Sequence, residues 1–244
     1  MDAVVALMDD EAGQVRVAAV EALAHLRTDK ALAALRRAAA SPDADLQRAA
    51  LLGLGTQRQA QSLPALLAAL ESKDAATRLV GVSALAAFAP PGPTGAEVLP
   101  ALARAAHDPD ESVRTAAMGF LAARQEPAAT ALLVGLLAQP AARAAALAAL
   151  AQPVPGRIAG LQAGLESADD ELAPLVVAAL ARMGRADATA ALVDALTGPN
   201  AHSRRAAAGA LAQLGPGAHS ELARAAAEDP DPEVRRLCAE ALGR

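Results

Sequence analysis

The 244-residue sequence predicts an all-α superhelix, an α-solenoid of about eight stacked two-helix repeats. Three observations carry that expectation. Ala supplies about 30% of the residues and Leu about 15%, Trp and Tyr are absent, and Phe occurs only at Phe88 and Phe120, so the apolar content is built from strong helix formers. A nine-residue pattern, Val15-Arg16-Val17-Ala18-Ala19-Val20-Glu21-Ala22-Leu23, recurs with its final residue at Leu23, Leu54, Leu85, Leu121, Leu150, Leu180, Leu211 and Leu242, in steps of about 31 residues. A turn rich in Asp, Pro, Ser or Gly stands before most copies.

Within each copy the small and apolar residues, for example Val15, Ala18, Ala19, Ala22, Leu23 and Leu26, fall on one side of a 3.6-residue helix. The preceding turns, such as Ser41-Pro42-Asp43, His107-Asp108-Pro109-Asp110 and Asp229-Pro230-Asp231-Pro232, break one helix and cap the next. Ahead of the turns lie further helix-compatible segments: Leu32 to Ala39, Leu63 to Leu70, Val98 to Ala106, Thr130 to Ala138, Ala188 to Leu196 and Ala218 to Ala227. The expected units are residues 1–27, 28–58, 59–90, 91–124, 125–153, 154–184, 185–215 and 216–244, forming one repeat domain. A unit this short cannot cover its own apolar stripe, so neighbours must stack. The segment Ala89 to Gly95, rich in Pro and Gly, reads as a longer surface loop inside that series.

Composition also limits function. The 22 basic and 27 acidic residues leave a formal charge of −5, Lys occurs only at Lys30 and Lys73, and there are no Trp or Tyr platforms for bases, which argues against a nucleic-acid partner. One thiol, Cys238, cannot close an intrachain disulfide. The first residues lack the basic region and long apolar run of a secretory signal, and no apolar window is long enough for a membrane span, so the expectation is a soluble, cytoplasmic protein.

The units resemble HEAT repeats, in particular the short type named after phycobilisome lyases. The resemblance rests on Leu63-Pro64-Ala65-Leu66 and Leu99-Pro100-Ala101-Leu102 in first helices, on the Asp-Pro-Asp turns, and on Val15-Arg16, Val113-Arg114 and Val234-Arg235 opening second helices. Departures are Leu46-Gln47 for the Val-Arg pair, Pro174 in the first turn of the sixth second helix, and Gln139-Pro140 in place of an acidic turn. The resemblance implies a solenoid that serves as scaffold, adaptor or, in some members, enzyme. Deoxyhypusine hydroxylases with this fold hold iron through repeated His-Glu pairs, whereas His25, His107, His202 and His219 are none of them followed by Glu, so no metal or other cofactor is expected. Ser83 in Gly81-Val82-Ser83-Ala84 lies inside a repeat helix and not on a nucleophile turn. The acidic pairs Asp9-Asp10 and Asp169-Asp170 read as caps. No catalytic residue is expected.

Two repeat positions remain as candidates. Arg16, Arg78, Arg114, Arg143, Arg204 and Arg235 share one position, and the resemblance implies a ladder in which each guanidinium bonds the turns beside it; a partner-facing row is the alternative. If the second helices line the concave side, as the resemblance also implies, then Val20, Leu51, Val82, Met118, Leu147 and Val177 form an apolar row facing the groove, with Leu52 beside it; the alternative is that the row packs on the next repeat. The adjacent row, Glu21, Leu52, Ser83, Gly119, Ala148, Ala178, Gly209 and Glu240, is small in the middle and charged at both ends. The expected function is therefore a non-catalytic scaffold binding a protein or peptide, with a lyase-like chromophore-attachment role as the alternative. The last helix carries Val234, Leu237, Cys238, Ala241 and Leu242 with no capping helix after it, so an exposed stripe and self-association through the C-terminal repeat are further expectations.

Overall fold

The computed structural model describes residues 1–88, 95–214 and 216–243. Apart from Gly95, the expected loop at 89–95 lies outside these residues. Among the described residues there are sixteen α-helices and no strand. They run in pairs: α1 (Asp2–Ala6) with α2 (Gly13–Ala24), α3 (Asp29–Ala39) with α4 (Ala44–Gln57), α5 (Leu63–Ala69) with α6 (Ala75–Phe88), and α7 (Gly95–Ala105) with α8 (Glu111–Ala123). The pairs continue with α9 (Pro127–Leu137) and α10 (Pro140–Leu150), α11 (Arg157–Glu166) and α12 (Leu172–Met183), α13 (Ala186–Thr197) and α14 (Ala201–Leu214), and α15 (His219–Glu228) and α16 (Pro232–Leu242). The chain is an all-α repeat protein of the solenoid class.

The turns start the helices as their chemistry dictates. The Asp43 carboxylate accepts the Asp45 and Leu46 N–H groups at 3.1 and 3.2 Å, Asp110 accepts those of Ser112 and Val113, and Asp231 accepts that of Glu233. Where the turn before a second helix has no acid, Pro140 opens α10, its missing N–H costing nothing at that position. Pro174 sits in the first turn of α12 for the same reason.

Packing divides the chain into two compact units, Met1–Phe120 and Leu121–Arg244. In the first, α2, α4 and α6 lie side by side over a core that includes Leu23, Leu35, Leu54, Leu66, Leu85 and Phe88, each at most 1% exposed. Gly55 sets the closest approach: a Cβ there would stand 2.6 Å from the Ala84 carbonyl oxygen, so α4 and α6 meet backbone to backbone. In the second unit α10, α12, α14 and α16 follow one another, with Leu133, Leu137, Leu150, Leu161, Leu180 and Leu192 fully covered. Each such Leu contributes about 2 kcal/mol by leaving water, and the stack multiplies that along the chain.

Candidate functional site

The recurring Arg residues anchor the turns. Arg78 donates from Nε and Nη2 to the two carboxylate oxygens of Asp108 at 2.7 and 2.8 Å, and from Nη1 to the Ser72 and Lys73 carbonyls of its own turn. Arg204 does the same with Asp229 at 2.9 and 3.3 Å and with the Gly198 and Pro199 carbonyls. Arg16 reaches the Asp10 and Glu11 carbonyls and the Asp43 carboxylate at 2.5 Å. Arg114 and Arg235 bond their own turn carbonyls, and Arg143 bonds the Leu137 carbonyl. The bidentate fork suits this task, because one planar group ties two consecutive turns. The Arg78 hydrogen bonds hold the Asp108 carboxyl below its ordinary range, and those from Arg16 do the same for Asp43.

The row expected to face a groove lies in the core. Val20, Leu51, Val82, Met118, Leu147 and Val177 are each at most 8% exposed. The helix period explains the correction: each stands three residues before an aligned core Leu, and residues three apart share a face. Of the candidates only Leu52 is open, at 47%. It belongs to the adjacent row, where Glu21, Gly119, Ala148 and Glu240 are exposed and Ser83, Ala178 and Gly209 half-buried. The C-terminal stripe needs a similar correction, since Val234 and Cys238 are fully buried while Leu237, Ala241 and Leu242 are half-buried.

The Ser83 hydroxyl is engaged and the Cys238 thiol is buried. The Ser83 hydroxyl donates to the Leu79 carbonyl one turn back within α6. Burial, helped by Asp229, pushes the Cys238 thiol up to about 11, so it stays protonated at neutral pH. Among the described residues no three His, Cys, Asp or Glu side chains gather as metal ligands. No helix among them is long and apolar enough to cross a membrane.

One buried cation escaped the sequence reading. Arg157, 1% exposed at the start of α11, donates from Nη2 to the Ala122 carbonyl and at 3.5 Å to that of Arg124, while Nε and Nη1 find no partner. Burial lowers its pKa. The carbonyl end of a helix, partially negative, takes the place of a carboxylate. The signal was Pro153-Val154-Pro155-Gly156: Gly156, at φ 77°, turns the chain so that the next side chain points inward. Beside this turn a cleft of about 460 Å³ is lined by Val154, Ile158, Gln162, Met183 and Arg185 among others.

With the helix pairs, turns and ladder in view, the comparison with known proteins is direct. The sequence profile of HEAT repeats matches residues 1–86, 63–151 and 158–243. The chain belongs to the HEAT-repeat family. No curated protein matches it. Among solved structures, this HEAT-repeat chain is similar to Kap95p, studied with RanGDP, at 13% identity and a TM-score of 0.52 over 99% of this chain and 39% of that one. Human deoxyhypusine hydroxylase with glycerol is 22% identical, with a TM-score of 0.43 over 99% of this chain and 94% of that one. A chain of the CpcE and CpcF complex of phycocyanin lyase from Nostoc is 22% identical, with a TM-score of 0.43 over 86% of each. The likeness to Kap95p is one of fold.

Proposed function

We propose that this HEAT-repeat chain is a non-catalytic, cytoplasmic scaffold that binds a protein or peptide through the open face of its second helices. The observation that carries the reading is the division of labour between adjacent rows. In each unit one row is spent on the core, and the next, through Leu52 and Gly119 in the first unit and Ala148 in the second, leaves small and apolar surface open on its helices. A preformed surface of that kind avoids much of the ordering cost that a flexible binder incurs. Small side chains also let a partner's backbone come close, and exposed Glu21 and Glu240 supply charge on the first and last second helices.

The test is comparative capture followed by purified binding. Protein captured from the source cell by the wild-type chain is identified, purified and titrated against Leu52→Asp, Ala148→Asp and, as a control in a turn, Lys73→Glu. The reading expects one or both row variants to lose about tenfold or more in affinity with unchanged helicity and the control to bind normally. Unchanged affinity in both row variants would remove this face from consideration.

A further inference from the structure

The buried Arg157 brings more to its position than the fold uses. Capping a helix end with a side-chain donor is a task that neutral amides perform elsewhere in this chain. The Gln57 amide donates from Nε2 to the Leu23 and Leu26 carbonyls at 3.1 and 3.0 Å, and its Oε1 accepts from Gln59. The Asn200 amide donates from Nδ2 to the Leu165, Glu166 and Ala168 carbonyls, and its Oδ1 accepts the His202 N–H at 2.9 Å. Neither amide leaves a buried atom without a partner. Arg157 makes the same kind of bond to the Ala122 and Arg124 carbonyls from Nη2 alone, and adds a full positive charge with Nε and Nη1 unpartnered. The other buried Arg among the described residues, Arg204, gives its Nε and Nη2 to the Asp229 carboxylate. No carboxylate among the described residues meets Arg157. A buried cation with two idle donors is costly, and the carbonyls alone do not call for it.

Arg157 also lines the cleft of about 460 Å³ at the turn before α11, inside the second unit. That volume falls within the range of about 300–1,000 Å³ typical of small-molecule sites. Val154, Ile158 and Met183 line the cleft half-buried, and Pro153 and Pro155 are exposed beside them. Its charged lining residues are Arg157, Arg185 and Asp187. Arg185 and Asp187 neutralise each other through two bonds at 3.0 and 2.9 Å, so the charge left over is that of Arg157. A positive centre with free donors, set among aliphatic walls, matches a carboxylate on an apolar body. We propose that this cleft binds an aliphatic carboxylate, free or at the end of a peptide chain, with Arg157 donating from Nε or Nη1 to its oxygens and Val154, Ile158 and Met183 covering its hydrocarbon part. Both nitrogens are closed off from water in the free chain, so binding moves the cleft wall, where the unbranched Met183 is the side chain suited to adapt. The site does not depend on the open row of the second helices binding a partner.

Titration of the full chain with hexanoate, and with a short peptide ending in Leu with a free carboxylate, tests this by calorimetry and by the Nε–H resonance of Arg157 in isotope-labelled protein. The proposal expects at least one of the two to bind saturably below about 10 mM and to shift that resonance. Hexanamide and the amidated peptide, alike in shape but uncharged, should bind about tenfold more weakly or less. Binding of the peptide without hexanoate assigns the carboxylate to a chain end, and binding of hexanoate without the peptide assigns it to a free acid. Arg157→Gln, which keeps an amide donor for the helix end as Gln57 does, should stay folded and lose carboxylate binding by about tenfold or more. Ile158→Glu, in the first turn of α11 where an acid is well tolerated, should do the same with Arg157 in place, and covers the case in which Arg157→Gln unfolds. No binding of either carboxylate at about 10 mM, acids that bind no better than their amides, inorganic phosphate that binds as tightly, or unchanged binding in the folded variants would each overturn the proposal. None of these variants alters Leu52 or Ala148, so failure here is distinct from failure of the scaffold reading.

Discussion

The two units hold the same repeat together with different proportions of the same chemistry, since the first also has a carbonyl link, from the buried Gln57 amide to Leu23 and Leu26 at 3.1 and 3.0 Å. In Met1–Phe120 successive turns are linked by carboxylates: Arg16 to Asp43, Arg48 to Asp74 and Arg78 to Asp108. In the middle of Leu121–Arg244 the links go to backbone carbonyls. Arg157 bonds those of Ala122 and Arg124, the Asn200 amide bonds those of Leu165, Glu166 and Ala168, and Ser203 bonds that of Leu165 at 2.6 Å. Ion pairs return at Arg204 with Asp229 and Arg205 with Asp231. The difference teaches what the repeat requires. It requires a donor for the free carbonyls at a helix end, and an acid is one addition among several.

That comparison can be broken or sharpened by mutation. The largest effect is expected at Arg157→Ala, which leaves a cavity and an orphaned Ala122 carbonyl; denaturant unfolding should show a loss of about 3–4 kcal/mol, with hydrogen exchange rising in the second unit. Arg157→Met, which keeps the packing, should lose less; an equal loss would mean that the carbonyl bonds outweigh the packing. Gly55→Val probes the first unit, where a side chain meets the Ala84 backbone, and should cost about 2–3 kcal/mol by the same assay.

Acid should separate the two chemistries next. The carboxyls of Asp43, Asp74 and Asp108 are held low by Arg16, by the Thr77 hydroxyl and by Arg78, respectively, so their folded values lie below the unfolded ones. Their stabilisation is present above an ordinary Asp value of about 3.9 and is lost as pH falls through the folded values. Hydrogen exchange at decreasing pH should therefore open the turns at 41–44, 72–75 and 107–110 before the Asn200 links, which have no proton to gain there. The smallest effect, of opposite sign, is expected at Gly119→Ala and Gly135→Ala. Both positions are helical with open space around a Cβ, and thermal unfolding should show a gain of about 0.5–1 kcal/mol for each.

The repeat itself was legible because its determinants are local. The Leu spacing, the Asp and Pro turns and the Ala-rich stripes each report on a few neighbouring residues, and the helix pairs fall where those signals stand. The side of the helix that the next repeat covers was not legible. Val20 and Leu52 look alike in sequence, and only the neighbouring helices decide that Val20 is sealed while Leu52 is 47% exposed. Arg157 was missed for a related reason. Its partners are backbone carbonyls 35 and 33 residues away, which carry no side-chain signature.

The central claim, that one row is core and its neighbour is working surface, is tested most directly by thiol labelling. Cys238 is buried, so cysteines placed at Leu51, Leu52, Leu147 and Ala148, one at a time, report their own accessibility. The account predicts that Leu52→Cys and Ala148→Cys react at nearly the rate of a free thiol, with Leu51→Cys and Leu147→Cys slower by about 100-fold or more. Equal rates within either adjacent pair, in chains that retain their helicity, would contradict it.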